Sequence, residues 1–167
     1  MFPSAINELA HKVISAYAAE KFKIVTAESC TGGLIAGALT EVPGSSAVID
    51  RGFITYSNDA KVEVLGVDNL ALAQFGAVSP EVAAQMARGA LEFSHADIAV
   101  SVTGIAGPDG GSEDKPVGLV YFGFATRQGT VMHYKCNFSG NREKIRFAAV
   151  EEGLKLLIML ADQTAPD

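Results

Sequence analysis

The sequence predicts an α/β fold, a three-layer α/β/α domain with a mixed β-sheet, and three features point to it. Two apolar, strand-like runs, residues 22–27 and 97–102, each end in a glycine-rich turn. Stretches with apolar residues at helical spacing lie before, between and after them. Near the end, residues 117–126 and 130–138 read as two strands around Arg127-Gln128-Gly129, an antiparallel hairpin. Strands joined through helices pair in parallel, and a hairpin adds antiparallel partners, so the sheet is mixed.

The elements follow in chain order. Ser4 is placed to cap a first helix over 4–20, in which Ile6, Leu9, Ala10, Val13, Ile14 and Tyr17 form one apolar face. After the strand at 22–27, a second helix runs from Leu34 to about Thr40, and Pro43-Gly44-Ser45-Ser46 breaks the chain. Residues 47–56 read as a strand with a bulge or break at Gly52. A short helix starts at 57–61 and ends near Gly66. Ser79-Pro80-Glu81 is an N-cap, a proline in the first helical position and an acid in the first turn, which opens a helix to about Phe93. The last helix, roughly 141–162, carries Ile145, Ala148, Ala149, Leu156, Leu157 and Leu160.

Composition narrows the class. The 167 residues are 49% apolar and only 19% charged, which fits one well-buried domain over 1–167. No internal repeat, linker or low-complexity segment divides it. A net charge of −6 argues against nucleic acid as a partner, since that role calls for a basic face. Cys30 and Cys136 form no disulfide framework, so a reducing, cytoplasmic setting is expected. His11, His95 and His133 lack ligand spacing, and no metal is expected. The longest apolar stretch, 154–161, contains Lys155 and is too short for a membrane span; Met1-Phe2-Pro3-Ser4 does not begin a signal peptide.

Chemistry concentrates at Glu28-Ser29-Cys30-Thr31-Gly32-Gly33, where a strand turns into a helix. Such a turn exposes its first side chain, its glycines let a ligand approach the backbone, and the helix start offers N–H groups to negative charge. Taken alone, the segment is read first as a short turn capped by a serine, and the choice between Ser29 and Cys30 as nucleophile stays open. Thr103-Gly104-Ile105-Ala106-Gly107-Pro108-Asp109-Gly110-Gly111-Ser112 forms a second glycine-rich loop, and the two loops can converge at the carboxyl edge of the sheet. Neither carries a phosphate-loop or dinucleotide fingerprint. Arg142, after Ser139-Gly140-Asn141, is either a solvated arginine or an anion ligand at a helix start. Tyr56 and Lys61 flank another helix start; a lysine with a lowered pKa can serve a hydroxyl nucleophile as base, and a tyrosine hydroxyl can relay or orient the proton.

These segments, together with Gly44-Ser45-Ser46, Arg51-Gly52-Phe53-Ile54-Thr55-Tyr56-Ser57-Asn58 and Lys115-Pro116-Val117-Gly118, closely resemble the CinA C-terminal domain family, and the likeness covers almost the whole chain. The resemblance implies nicotinamide-nucleotide amidohydrolase activity: hydrolysis of nicotinamide mononucleotide to nicotinate mononucleotide and ammonia, without a cofactor. It implies Ser29 as nucleophile with Lys61 and Tyr56 as catalytic partners. It also implies substrate contacts at Thr31, Gly32, Gly33, Ser46, Thr103, Gly104 and Gly107, and Arg142 near the phosphate. N–H groups of Gly32 and Gly33 are expected to hold the oxyanion. A homodimer and the stand-alone form of the domain are also implied. The alternative of another class is a non-catalytic nucleotide-binding module of the competence or damage response, although this chain keeps both the serine and the lysine.

Overall fold

The structure is a computed structural model and describes residues 1–164. Its elements run α1 (Ser4–Glu20), β1 (Ile24–Glu28), α2 (Leu34–Thr40), a 3-10 turn (Ser45–Ala47), β2 (Ile49–Ile54), α3 (Asn58–Leu65), α4 (Asn69–Phe75), α5 (Pro80–Glu92), β3 (Ile98–Gly104), β4 (Leu119–Thr126), β5 (Val131–Asn137) and α6 (Arg142–Thr164). The five strands lie in the order β2-β1-β3-β4-β5. β1 pairs in parallel with β2 and β3, while β3–β4 and β4–β5 are antiparallel. The mixed sheet and both of its connection types are as the sequence predicts.

Two apolar cores, one on each face, make the three layers. Val100, Val102, Val120, Phe122 and Phe124 pack against α1, α2 and α6, whereas Val25, Ala27, Ala99 and Ala125 pack against α5 and the α3–α4 region. The central strands are buried on both faces, and so they read as continuous apolar runs rather than alternating ones. Tyr17, buried in the first core, donates its hydroxyl to Leu157 O at 2.9 Å and joins α1 to α6.

Several local expectations are corrected. Pro3, not Ser4, caps α1: its extended conformation ends the preceding chain, its carbonyl accepts from Ile6 and Asn7, and Ser4 is already helical. Gly52 marks no bulge, since β2 runs unbroken through it. The irregularity lies between the pairs Ile24–Ile49 and Val25–Arg51. Gly52 is small because a Cβ there would stand 2.8 Å from Thr26 Oγ1 and 3.3 Å from Ala36. Helix α4 was not anticipated. The Ser79 cap is as expected, with its hydroxyl accepting from Val82 N.

β1 and β3 are neighbouring and parallel, so the turns that follow them leave the same edge of the sheet. α3, next to that edge, is held by α5 at a point of backbone contact. A Cβ on Gly89 of α5 would fall 1.8 Å from Leu65 O of α3. Gly89→Ala therefore forces the two helices apart. An alanine gains about 1 kcal/mol of helix propensity over glycine, which does not offset a clash with backbone. We expect a net loss of about 2 kcal/mol or more in urea unfolding; a more stable variant would mean that the helices yield at no cost.

Candidate active site

Ser29 follows the last residue of β1, its N–H donating to Val102 O of β3 at 3.0 Å. The chain then reverses through Gly32 (φ 62°) and Gly33 (φ 95°), left-handed conformations that glycine adopts without strain. Glu28, 1% exposed, fixes the turn from one side. Its Oε2 accepts from Thr31 Oγ1 (2.6 Å), Gly33 N (3.0 Å) and Ile35 N (3.1 Å), and its Oε1 from Ala36 N (2.8 Å). A buried carboxylate thus takes the free amides at the start of α2. Arg146 of α6 fixes the turn from another side, donating from Nε to Cys30 O (3.1 Å) and from Nη2 to Thr31 O (2.9 Å).

Lys61 comes from the first turns of α3, which Ser57 caps by accepting from Ala60 N at 3.0 Å. The lysine is 1% exposed. Its Nζ lies 3.0 Å from Ser29 Oγ, 2.8 Å from Thr55 O and 3.2 Å from Tyr56 O. Burial lowers its pKa to about 8, because the ammonium form loses its hydration. Burial has the opposite effect on the neighbouring thiol: Cys30 is pushed up to about 12 and so is a poor nucleophile at neutral pH. Of the two residues, Ser29 has the contact with Lys61, and Cys30 holds its proton more tightly than a free thiol.

A cleft of about 210 Å³ opens over this pair, walled by Ala77, Val78, Thr103, Gly104 and Arg142 among others. Thr103 donates its hydroxyl to Ala77 O at 2.9 Å, which ties the end of β3 to that wall. Arg142 begins α6 and donates to Gly107 O (2.8 Å) and to Tyr56 Oη (3.0 Å). Tyr56 meets Lys61 through its backbone carbonyl, while its hydroxyl faces Arg142.

Other expected contacts fall elsewhere. Thr31 is fully buried with its hydroxyl on Glu28. The N–H of Gly32 donates to Ser29 O (3.1 Å) and that of Gly33 to Glu28, so neither is free for an oxyanion as expected. Ser46 is exposed in the 3-10 turn that enters β2, where Val48 O accepts from Ile24 N at the amino end of β1. Ser29 lies at the other end of β1, about 15 Å away at 3.3 Å per residue. The sequence singles out the segment that contains Glu28 without giving that residue a role, and it passes over Arg146. Arg146 stands one helical turn after Arg142, a repeat of cations on one helix face that was the available signal.

A hydroxyl and an amine in contact, at the carboxyl edge of an α/β sheet and under an open cleft, are the parts of a nucleophilic site. Residues 6–161 match the CinA C-terminal domain, and the chain belongs to that family. The nicotinamide-nucleotide amidohydrolase PncC of Enterobacter agglomerans is 54% identical over 149 residues, covering 89% of this chain and 91% of its own. The enzyme of the same name from Escherichia coli K12 is 49% identical over 157 residues, covering 94% and 95%. Among solved structures, the competence/damage inducible protein CihA from Agrobacterium tumefaciens matches with a TM-score of 0.94 at 54% identity, over 96% of this chain and 98% of that one.

The Glu28 cradle makes a direct prediction. In Glu28→Gln the amide oxygen can keep the three donors now on Oε2, but the NH₂ group faces the Ala36 N–H, donor against donor. One bond is lost and one buried donor is left unmet, a loss of about 2 kcal/mol. Urea unfolding measures it, and an unchanged midpoint would show that the turn holds without the carboxylate.

Proposed function

We propose that the chain is a nicotinamide-nucleotide amidohydrolase, converting nicotinamide mononucleotide and water into nicotinate mononucleotide and ammonia. The observation that carries the reading is the 3.0 Å contact between Lys61 Nζ and Ser29 Oγ, buried beneath the cleft. The names and close identity of the PncC relatives support the choice of substrate.

Two of the three neighbours of Lys61 Nζ are carbonyl oxygens, which can only accept. In the neutral amine both N–H bonds are taken by Thr55 O and Tyr56 O, and the lone pair is left for Ser29. Lys61 then removes the hydroxyl proton as Ser29 Oγ attacks the carboxamide carbon. The tetrahedral oxyanion is held by the backbone N–H of Cys30, which lines the cleft and has no acceptor on another residue among the described residues. Lys61 passes its proton to the departing nitrogen, and ammonia leaves an acyl-serine. Lys61 next takes a proton from water as its oxygen attacks the ester, and returns that proton to Ser29 Oγ as the acid leaves, which regenerates both groups. Tyr56 serves through its carbonyl, which orients Lys61, and through its hydroxyl, which helps to hold Arg142. The nucleotide phosphate lies over Arg142 and the first N–H groups of α6, where an anion meets both a guanidinium and a helix start.

The reading is tested by ammonia release from nicotinamide mononucleotide. Ser29→Ala should lower kcat by about three orders of magnitude or more. Cys30→Ala should keep most of the activity, because that thiol stays protonated at working pH. A dead Cys30→Ala beside an active Ser29→Ala would reverse the assignment, and wild type that releases no ammonia would remove the substrate.

The pH profile follows from the lysine. The base is the deprotonated amine, so kcat/KM rises with pH and levels off above about 8. At pH 7 about one tenth of the molecules hold Lys61 neutral. A profile flat from pH 6 to 9 would mean that Lys61 acts as a fixed charge.

A further inference from the structure

We propose that Arg146 is a positioning residue of the nucleophile turn: by gripping the carbonyls of Cys30 and Thr31, it keeps the Gly32 N–H on Ser29 O and so fixes the Ser29–Cys30 peptide, whose N–H belongs to Cys30 on the wall of the cleft and meets the oxyanion. The proposal rests on the amidohydrolase reading for its reaction, but it stands on geometry of its own. A trans peptide is planar, and its C=O and N–H point in opposite directions. The only cis bond among the described residues is Gly107–Pro108, so both peptides of the turn are trans. Because Cys30 O faces Arg146 Nε, the Thr31 N–H of the same peptide faces away from the arginine. The next peptide bears this out. Thr31 O faces Arg146 Nη2, and the Gly32 N–H of that peptide is turned away from it onto Ser29 O.

The charge of Arg146 has no competing use. The ion pairs among the described residues are Arg51–Asp50 and Lys155–Glu151, and neither includes it. Its guanidinium is half-buried and bonded to two successive carbonyls, each from a different nitrogen, a task that suits a planar fork. Glu28 holds the amides of the same segment from Gly33 onward. Between the two ions, Cys30 and Thr31 are the residues after the nucleophile whose N–H groups keep no acceptor on another residue among those described. Arg146 is not itself among the residues that wall the cleft, so its effect on the reaction passes through the turn.

The test uses Arg146→Ala and Arg146→Lys. Misplacing an oxyanion donor by about 1 Å costs on the order of 10²-fold in rate. We expect Arg146→Ala to lose kcat by that amount, with KM for nicotinamide mononucleotide within about threefold of wild type. Guanidinium ion, added well below denaturing concentration, should restore a measurable part of kcat in Arg146→Ala and none in wild type. Arg146→Lys, which offers one nitrogen in place of the fork, should fall between the two and stay insensitive to guanidinium. A second readout does not need the nucleotide: the rate at which a fluorophosphonate labels Ser29 should fall in parallel with kcat. If wild type is labelled but releases no ammonia, the substrate is wrong and the labelling series still decides the role of Arg146. Folded Arg146→Ala with wild-type kcat and labelling rate overturns the proposal, as does a kcat loss that guanidinium leaves untouched. A loss confined to KM overturns it too, by placing Arg146 on the substrate. Should Arg146→Ala fail to fold, Arg146→Lys decides, and wild-type rates in that variant refute the need for the fork.

Discussion

The site depends on one constraint: an amine is held out of water among two carbonyls and one hydroxyl. That environment both lowers the pKa of Lys61 and aims its lone pair. Burial makes the ammonium costly and outweighs the opposing pull of Cys30, which brings the pKa to about 8, while the three neighbours of Nζ set where the lone pair points. The framework has to supply those carbonyls at fixed positions. It does so by extending the β1–β2 pairing one step beyond β2, with Thr55 N donating to Glu28 O at 2.9 Å. The same residue that ends β1 therefore sets the backbone that receives the lysine. The arrangement opposes stability. The folded chain releases the Lys61 proton near pH 8, whereas the unfolded chain keeps it to about 10.5, so the unfolded state binds more protons between those values. The penalty is full below pH 8 and fades as pH rises toward 10.5.

Helix starts attract anions, and this protein treats two of them differently. At α2 the anion is internal: Glu28 is covalently part of the preceding strand and is fully buried beneath the turn. No external anion can compete for those amides, and this is why the glycines there do not serve as the oxyanion site that their sequence context invites. At α6 the start stays open, with Asn141 Oδ1 taking only the Lys144 N–H and Arg142 exposed beside it. A glycine-rich helix start in a sequence therefore does not identify a ligand site by itself. What decides is whether the chain carries its own carboxylate to fill it.

The parts of this architecture that were legible in the sequence share a physical cause. Strands β1 and β3 and helices α1 and α5 bury long, regular apolar stretches, and burial imposes periodicity on sequence. Helix α4 does not: it has seven residues, of which Ala71 alone is buried, so nothing in Asn69–Phe75 repeats. Ser29, Tyr56 and Lys61 were readable as reactive groups, but their meeting was not, because it depends on the register of neighbouring strands. The spacing of Arg146 from Arg142 was readable, but the partners of Arg146 were not. It acts on backbone carbonyls 115 and 116 residues away, and a carbonyl leaves no mark on residue type. Ser46 shows the converse, a residue inside a matching segment that one chain places at the far end of the sheet from Ser29.

Tyr56 joins the two ends of the proposed site. Its carbonyl belongs to the cage around Lys61, and its hydroxyl accepts from Arg142, which also holds Gly107 O of the second glycine loop. One residue thus connects the base to the group that would meet the phosphate. At about 210 Å³ the cleft is smaller than pockets that enclose a whole drug-sized ligand. On the proposed reading, a nucleotide there would bury its reacting ring and leave the phosphate over Arg142 at the rim. A phosphate drawn to Arg142 would fix the Tyr56 side chain, and through the backbone of the same residue it would steady the carbonyl that faces Lys61. Binding energy from a non-reacting part of the substrate would then be used to align the base, which raises kcat rather than merely lowering KM.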